Sequence, residues 1–297
     1  MKEINYTNCP LCNSEKIYKH SNVQDFSISG ETFDIYSCGD CKFQFTQNHP
    51  SESHIGPYYQ SEDYISHSDT SKGFINTVYH WVRSIMLNKK YKLISRETKG
   101  KKLLDIGCGT GYFPNFMKKK NYKVSGVEKE EEAREFAKNT FNIPVISPED
   151  FLQEDNTEQY DIITLWHVLE HIENRDAFLK AIHKKLDANG ALFIALPNHW
   201  SFDARFYKEY WAGYDVPRHL WHFNPNTLAM LMKQHNFNVR KLKKLPFDSF
   251  YNALLSEKYR KNALALPSGF VIGFFAFLKS MFNIRKASSV IYVCEKA

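Results

Sequence analysis

The stretch Leu103-Leu104-Asp105-Ile106-Gly107-Cys108-Gly109-Thr110-Gly111 runs from an apolar strand, through glycine at alternate positions, into a helix that opens near residue 112. Glycines placed this way let the backbone approach a ligand that a Cβ would hold off, so a nucleoside-bearing ligand suits the turn. Asp105 stands just before the loop and would repel a pyrophosphate; a carboxylate there favours a cationic ligand. Twenty-one residues past Gly107, at the end of the next strand, Glu128 occupies the position from which a carboxylate accepts hydrogen bonds from ribose hydroxyls. Ser147-Pro148-Glu149-Asp150-Phe151 follow the third strand, where Asp150 can accept from an adenine amino group and Phe151 can flank the ring. The competing reading makes these acids ordinary surface turns.

Outward from the loop, the pattern alternates. Strands are predicted over 102–106, 122–127, 143–146, 160–166, 191–196, 237–245 and 290–294. Helices are predicted from about 112, over 130–141, over 174–187 and over 227–234. Strand and helix in alternation with short turns specify an α/β, doubly wound, Rossmann-like sheet. The chain has 297 residues, 43% hydrophobic, 15% aromatic and 24% charged, which is enough apolar material for a core and excludes a disordered tail protein. A net charge of +6, dispersed along the chain, does not call for nucleic acid.

The D-x-G-C-G-T-G loop (Asp105, Gly107, Cys108, Gly109, Gly111), the acid after the second strand and the element order from about 100 to 297 resemble the class I S-adenosylmethionine-dependent methyltransferases. That resemblance implies seven strands with the last, 289–295, antiparallel. It also implies S-adenosyl-L-methionine as cofactor, with Asp105, Gly107, Gly109, Glu128 and Asp150 around it.

Residues 1–45 hold Cys9-Pro10-Leu11-Cys12 and Cys38-Gly39-Asp40-Cys41, two C-x-x-C knuckles separated by 25 residues. Two knuckles on hairpin tips converge on a tetrahedral metal, so structural Zn2+ on Cys9, Cys12, Cys38 and Cys41 is expected. Redox C-x-x-C pairs come singly and open a helix. Cys108 and Cys294 fall outside the knuckles and read as small buried apolar residues. The N-terminus lacks the apolar run of a secretory signal, which predicts a reducing, cytoplasmic setting. Residues 46–98 read as an aromatic linker, with Tyr58, Tyr59 and Tyr64, and a helix from 74; 99–297 form the cofactor domain. Zinc ribbon, linker and core together resemble a bacterial subgroup of sugar and natural-product methyltransferases.

After the strand 160–166 comes His167-Val168-Leu169-Glu170-His171, and after the next strand Asp215-Val216-Pro217-Arg218-His219, so both groups reach the ligand-binding edge of the sheet. Three readings compete. His171 or His219 is a general base oriented by His167 and Glu170. Alternatively, His167, Glu170, His171 and His219 bind a divalent ion, as in related O-methyltransferases with an E-x-x-E-H version. In the third reading the histidines only pack. The N/D-P-P-Y/F element of amino-methylating nucleic-acid enzymes is absent, which favours oxygen as the methyl acceptor.

Between the last two strands, 249–288 is an apolar insertion expected to be helical, with Lys279, Arg285 and Lys286 flanking its apolar run. It reads either as a cap on the substrate cleft or, through 264–286, as a peripheral contact with the inner face of a membrane. The resemblance implies methyl transfer to a hydroxyl of a saccharide, phenolic or lipid-linked intermediate, with a small-molecule or lipid-linked acceptor as partner. An RNA methyltransferase using the zinc ribbon and a non-catalytic zinc-ribbon scaffold are the rivals.

Overall fold

A computed structural model describes residues 3–59, 74–153, 158–245 and 247–297, with the side chains of the long first helix described from residue 82 onward. The predicted linker residue Tyr64 lies outside the described residues.

The N-terminal part contains β1 (Glu3–Ile4), β2 (Ile17–Gln24), β3 (Thr32–Cys38), β4 (Gln44–Gln47) and β5 (His49–Pro50). Helix α1 (Phe74–Glu97) leads into the α/β body. That body comprises β6 (Lys102–Ile106), α2 (Tyr112–Lys118), β7 (Lys123–Val127), α3 (Glu131–Phe141), β8 (Val145–Ile146), α4 (Pro148–Gln153), β9 (Tyr160–Trp166), α5 (Arg175–Lys185) and β10 (Leu186–Pro197). It continues with α6 (Phe202–Tyr207), β11 (Trp221–His222), α7 (Pro225–Gln234), β12 (Phe237–Lys244), α8 (Asp248–Tyr259), α9 (Ala265–Phe282) and β13 (Ser289–Lys296).

Seven strands form one sheet in the order β12-β13-β10-β9-β6-β7-β8. Strands β6, β7, β8, β9 and β10 run parallel, and β13 enters antiparallel to both β10 and β12. The central strands are buried on both faces because helices cover both: Leu103, Ile106, Ile162, Leu165, Leu192 and Ile194 are nearly or fully enclosed. The helix predicted over 174–187 ends at Lys185, because fully buried Leu186 already pairs with Tyr160 of β9 as strand. A register shift between Leu186 and Ala191 then absorbs the turn.

The cysteine-bearing sheet has the order β11-β4-β3-β2, so its last strand comes from residues 221–222, far along the chain. Arg175 donates to the carbonyl of Pro10 and lies 4.1 Å over the Trp221 ring, while Gln234 Nε2 donates to the Leu11 carbonyl at 3.0 Å. The first knuckle is thereby seated on α5 and α7. The linker through Tyr59 packs the same way: Ile55 and Tyr58 join Val23, Phe33, Trp211 and Tyr214 in one apolar cluster.

Candidate active site

The cofactor loop forms at the carboxyl end of β6. Gly107, Gly109 and Gly111 have φ of 70°, 54° and 82°, values that side-chain-bearing residues rarely adopt. At Gly107 space matters as well, since a Cβ there would lie 2.4 Å from Val168 Cγ2. At Gly109 nothing stands within 4 Å of where a Cβ would be, so the loop is open on the side a ligand would take.

Glu128 closes the other side of the loop. Its Oε2 accepts from the Gly109 N–H at 2.7 Å, and its Oε1 from the N–H groups of Lys129 and Glu130 at 2.8 and 3.1 Å. Asp105 is 2% exposed and accepts from the Thr164 hydroxyl of the neighbouring strand. Burial raises its pKa to about 7, against the opposing pull of Thr164 and Lys90. A buried carboxylate and a second acid beside an open glycine turn fit a cationic nucleoside ligand such as S-adenosylmethionine.

Phe151, expected to flank the adenine ring, is placed differently. Phe151 is 1% exposed and packs on Phe178, with ring centroids 5.7 Å apart, so it has no face left for an adenine and supports the core instead. The cause is local. Ser147 and Asp150 cap α4 reciprocally, Asp150 N–H donating to Ser147 Oγ at 3.0 Å and the Ser147 hydroxyl to Asp150 Oδ2 at 2.8 Å. That cap leaves Asp150 exposed and turns Phe151 inward. Cys108 is the small buried residue expected: its side chain fills the space over Gly126, where a Cβ would come within 2.5 Å of Sγ. Cys294 is fully buried in β13.

The two histidine groups meet. The rings of His171 and His219 lie edge to face with centroids 4.6 Å apart. His171 Nδ1 is 3.0 Å from the Arg218 carbonyl and His219 Nδ1 is 3.0 Å from the Gly213 carbonyl. Each carbonyl can only accept, so Nδ1 carries a proton in both rings, and Nε2 is the nitrogen that holds the lone pair whenever the ring is neutral. Burial and the neighbouring His219 lower the pKa of His171 to about 4, which keeps it neutral.

Glu170 is fully buried, and neither carboxylate oxygen accepts a hydrogen bond among the described residues. One coordinating atom from each of Glu170, His171 and His219 lies within 4.8 Å of the others, a spacing that would hold a metal ion. His167 plays another part than base. Its Nδ1 lies 3.3 Å from Glu170 Oε1 and its Nε2 3.2 Å from Asp248 Oδ2. Burial works against its charge, yet the two carboxylates raise its pKa to about 10, so it is an imidazolium with both nitrogens engaged.

Several contributors carry no signal in the local sequence. Asp248 opens α8, inside the apolar insertion. Tyr59 reaches His171 Nδ1 with its hydroxyl at 3.2 Å. Arg218 bridges Asp25 of the cysteine-bearing domain and Asp215, at 2.9 and 2.8 Å, and fixes the loop that carries His219. The D-V-P-R-H run displays Arg218, but its partner Asp25 is 193 residues away.

The four knuckle cysteines are free thiols, with Cys9 Sγ and Cys41 Sγ 3.7 Å apart and Cys12 Sγ and Cys38 Sγ 3.6 Å apart. Tetrahedral zinc with Zn–S of ~2.3 Å has S···S edges of ~3.8 Å, so the four sulfurs fit that ion.

The sheet order with its antiparallel β13, the glycine turn and the paired acids define a class I S-adenosylmethionine-dependent methyltransferase. Residues 79–242, over half of the chain, match the family described as methyltransferase domain, and the chain belongs to that family. It is 38% identical over 109 residues to a ubiquinone biosynthesis O-methyltransferase of Glaesserella parasuis serovar 5 (strain SH0165), covering 33% of this chain and 46% of that protein. It is 28% identical over 184 residues to one of Pelagibacter ubique (strain HTCC1062), covering 57% of this chain and 75% of that protein. The first of these matches thus spans less than half of its relative's length. The fold is shared with magnesium protoporphyrin IX methyltransferase from Synechocystis PCC 6803 with bound SAH, at TM-score 0.54 and 12% identity, covering 83% of this chain and all of that one.

Proposed function

We propose that the chain transfers the methyl group of S-adenosylmethionine to a hydroxyl oxygen of a small-molecule acceptor: a saccharide, a phenol or a lipid-linked intermediate. The observation that carries this reading is the paired orientation of His171 and His219, each with Nδ1 committed to a carbonyl, which leaves Nε2 as the nitrogen that can take a proton. When bound, S-adenosylmethionine supplies an electrophilic methyl on a sulfonium. What remains for the chain is to hold the acceptor oxygen in line and to take its proton, a task that a neutral imidazole performs. The O-methyltransferase names of the relatives support oxygen as acceptor, and so does the His167–His171 turn standing where amino-methylating enzymes keep an N/D-P-P-Y/F element.

The test is methyl transfer from labelled S-adenosylmethionine to a panel of catechols and hydroxylated saccharides, with the product located by mass spectrometry. An O-methyl ether formed by the native chain and lost in His171→Asn supports the proposal. Methylation on nitrogen or carbon sinks it.

A second reading rests on Glu170. A fully buried carboxylate held on one oxygen by the His167 ion pair, beside two imidazoles whose Nδ1 atoms are locked by carbonyls, suits the donor set and outer support of a two-histidine, one-carboxylate divalent site. Such an ion would bind vicinal hydroxyls of the acceptor and lower their pKa. Activity abolished by a chelator that leaves cysteine-bound zinc in place, and restored by added divalent ion, selects this reading over the base.

A further inference from the structure

We infer that the α8–α9 hairpin is a docking surface for an anionic lipid bilayer. The inference starts from the way α9 is packed. Its small residues, Gly269, Gly273, Ala276 and Ser280, face inward. A Cβ at Gly269 would come within 2.8 Å of the Leu254 Cα, and one at Gly273 equally close to the Phe250 Cα, so α9 meets the backbone of α8 at close range. The large apolar residues therefore point outward: Leu266 is 71% exposed, Phe270 65% and Phe282 90%, with Phe274, Phe275 and Met281 alongside. A helix in water ordinarily turns its largest apolar side chains inward, and this one does the reverse. Contiguous exposed apolar surface of this kind marks an interaction site.

Charge selects the occupant. Between Glu257 and Glu295 the chain has no acidic residue, and every charge there is basic: Lys258, Arg260, Lys261, Lys279, Arg285 and Lys286. Beside the hairpin lies a groove of about 260 Å³ whose lining includes Lys89, Lys92, Arg96, Lys243 and Lys244. Its one acid, Glu97, is already paired with Arg240 and Lys241. Lys244 joins groove to hairpin, its ammonium 4.6 Å over the Phe277 ring. Exposed aromatic residues with basic neighbours form the surface that settles into an anionic interface. At 18 residues α9 is about long enough to span a bilayer. Its close backbone contact with α8, and a return to β13 within seven residues of Phe282, keep it lying on the surface.

The test is flotation of the full chain with vesicles of phosphatidylcholine alone and of phosphatidylcholine with phosphatidylglycerol, at low and high salt. Binding is expected to the anionic vesicles and to weaken with salt. It should fall about thirtyfold in a Lys243→Gln/Lys244→Gln variant, the combined effect of two surface basic residues, and about a hundredfold in Phe270→Ser/Phe274→Ser. Cofactor affinity, measured by calorimetry on the same variants, should stay at the native value, which keeps this inference separable from the catalytic one. Two results overturn it: a monomeric chain that floats with neither vesicle, or self-association that Phe270→Ser/Phe274→Ser abolishes without vesicle binding, which assigns the surface to a second copy.

Discussion

The hydroxyl of Thr46 donates a hydrogen bond of 2.7 Å to the carbonyl of His219, across 173 residues of chain. The same strand pairs Phe45 with Trp221, and the Thr46 N–H donates to the Leu220 carbonyl at 2.9 Å. The Leu220 N–H in turn donates to the Glu170 carbonyl at 2.8 Å. The cysteine-bearing sheet is thus bonded in two steps to Glu170 and directly to His219.

Cys38→Ser should therefore do more than release metal. We expect about one zinc per native chain, lost in the variant, and turnover reduced ~100-fold through misplacement of His219. Metal analysis and initial rates on one preparation check this; zinc lost with turnover intact would contradict the coupling.

Replacing His171 or His219 by Asn should lower turnover ~100- to 10,000-fold, the usual effect of removing a placed proton acceptor, while fold and cofactor affinity persist. If the rings only pack, the melting temperature falls instead and activity per folded molecule holds.

His167→Gln tests the clamp on Glu170. It should destabilise the chain by about 1–3 kcal/mol, less than a fully enclosed pair because the His167 side chain is 36% exposed. The sign with pH follows from the raised pKa. His167 ionises at ~6.5 in the unfolded chain and at about 10 in the folded one. The clamp's contribution is complete below ~6.5 and is lost as pH climbs through 10. Denaturant midpoints across that range should converge for native and variant chains at the alkaline end.

Asp105 predicts a pH dependence of cofactor binding. With a pKa raised to about 7 by burial, it is protonated below and charged above that value. A cationic ligand prefers the charged form, so affinity should rise as pH passes upward through 7, by up to ~tenfold per unit on the acid side. Calorimetry should show Asp105→Asn flattening the profile.

Glu128→Ala removes the acceptor for Gly109 and the carboxylate expected for the ribose. S-adenosylmethionine binding should weaken by ~1.5–3 kcal/mol, the range for a hydrogen bond to a charged group, again by calorimetry.

The strand, glycine turn and acid at Asp105 to Glu128 were legible because local pattern determines them: buried β-formers, positive φ and fixed spacing all lie within one βαβ unit. The meeting of His171 with His219 followed from both groups ending at one sheet edge. What escaped is non-local. The two-residue strand β11 has no periodicity to betray it, and its partner β4 is remote in sequence. His167 reads as a companion of His171 until Asp248 arrives from the insertion and fixes its charge. Phe151 reads as a loop aromatic unless the Ser147–Asp150 cap and its inward turn are foreseen.

The loan of Trp221–His222 to the N-terminal sheet also sets a schedule for biosynthesis. The four cysteines emerge from the ribosome with the first 41 residues, whereas the strand that covers the edge of β4 follows some 175 residues later. At ~5–20 residues per second, β4 waits roughly 10–35 s with one edge unpaired. During that interval a metal on the knuckles would be what holds the sheet together, and the unpaired edge of β4 is open to pairing with a neighbouring nascent chain.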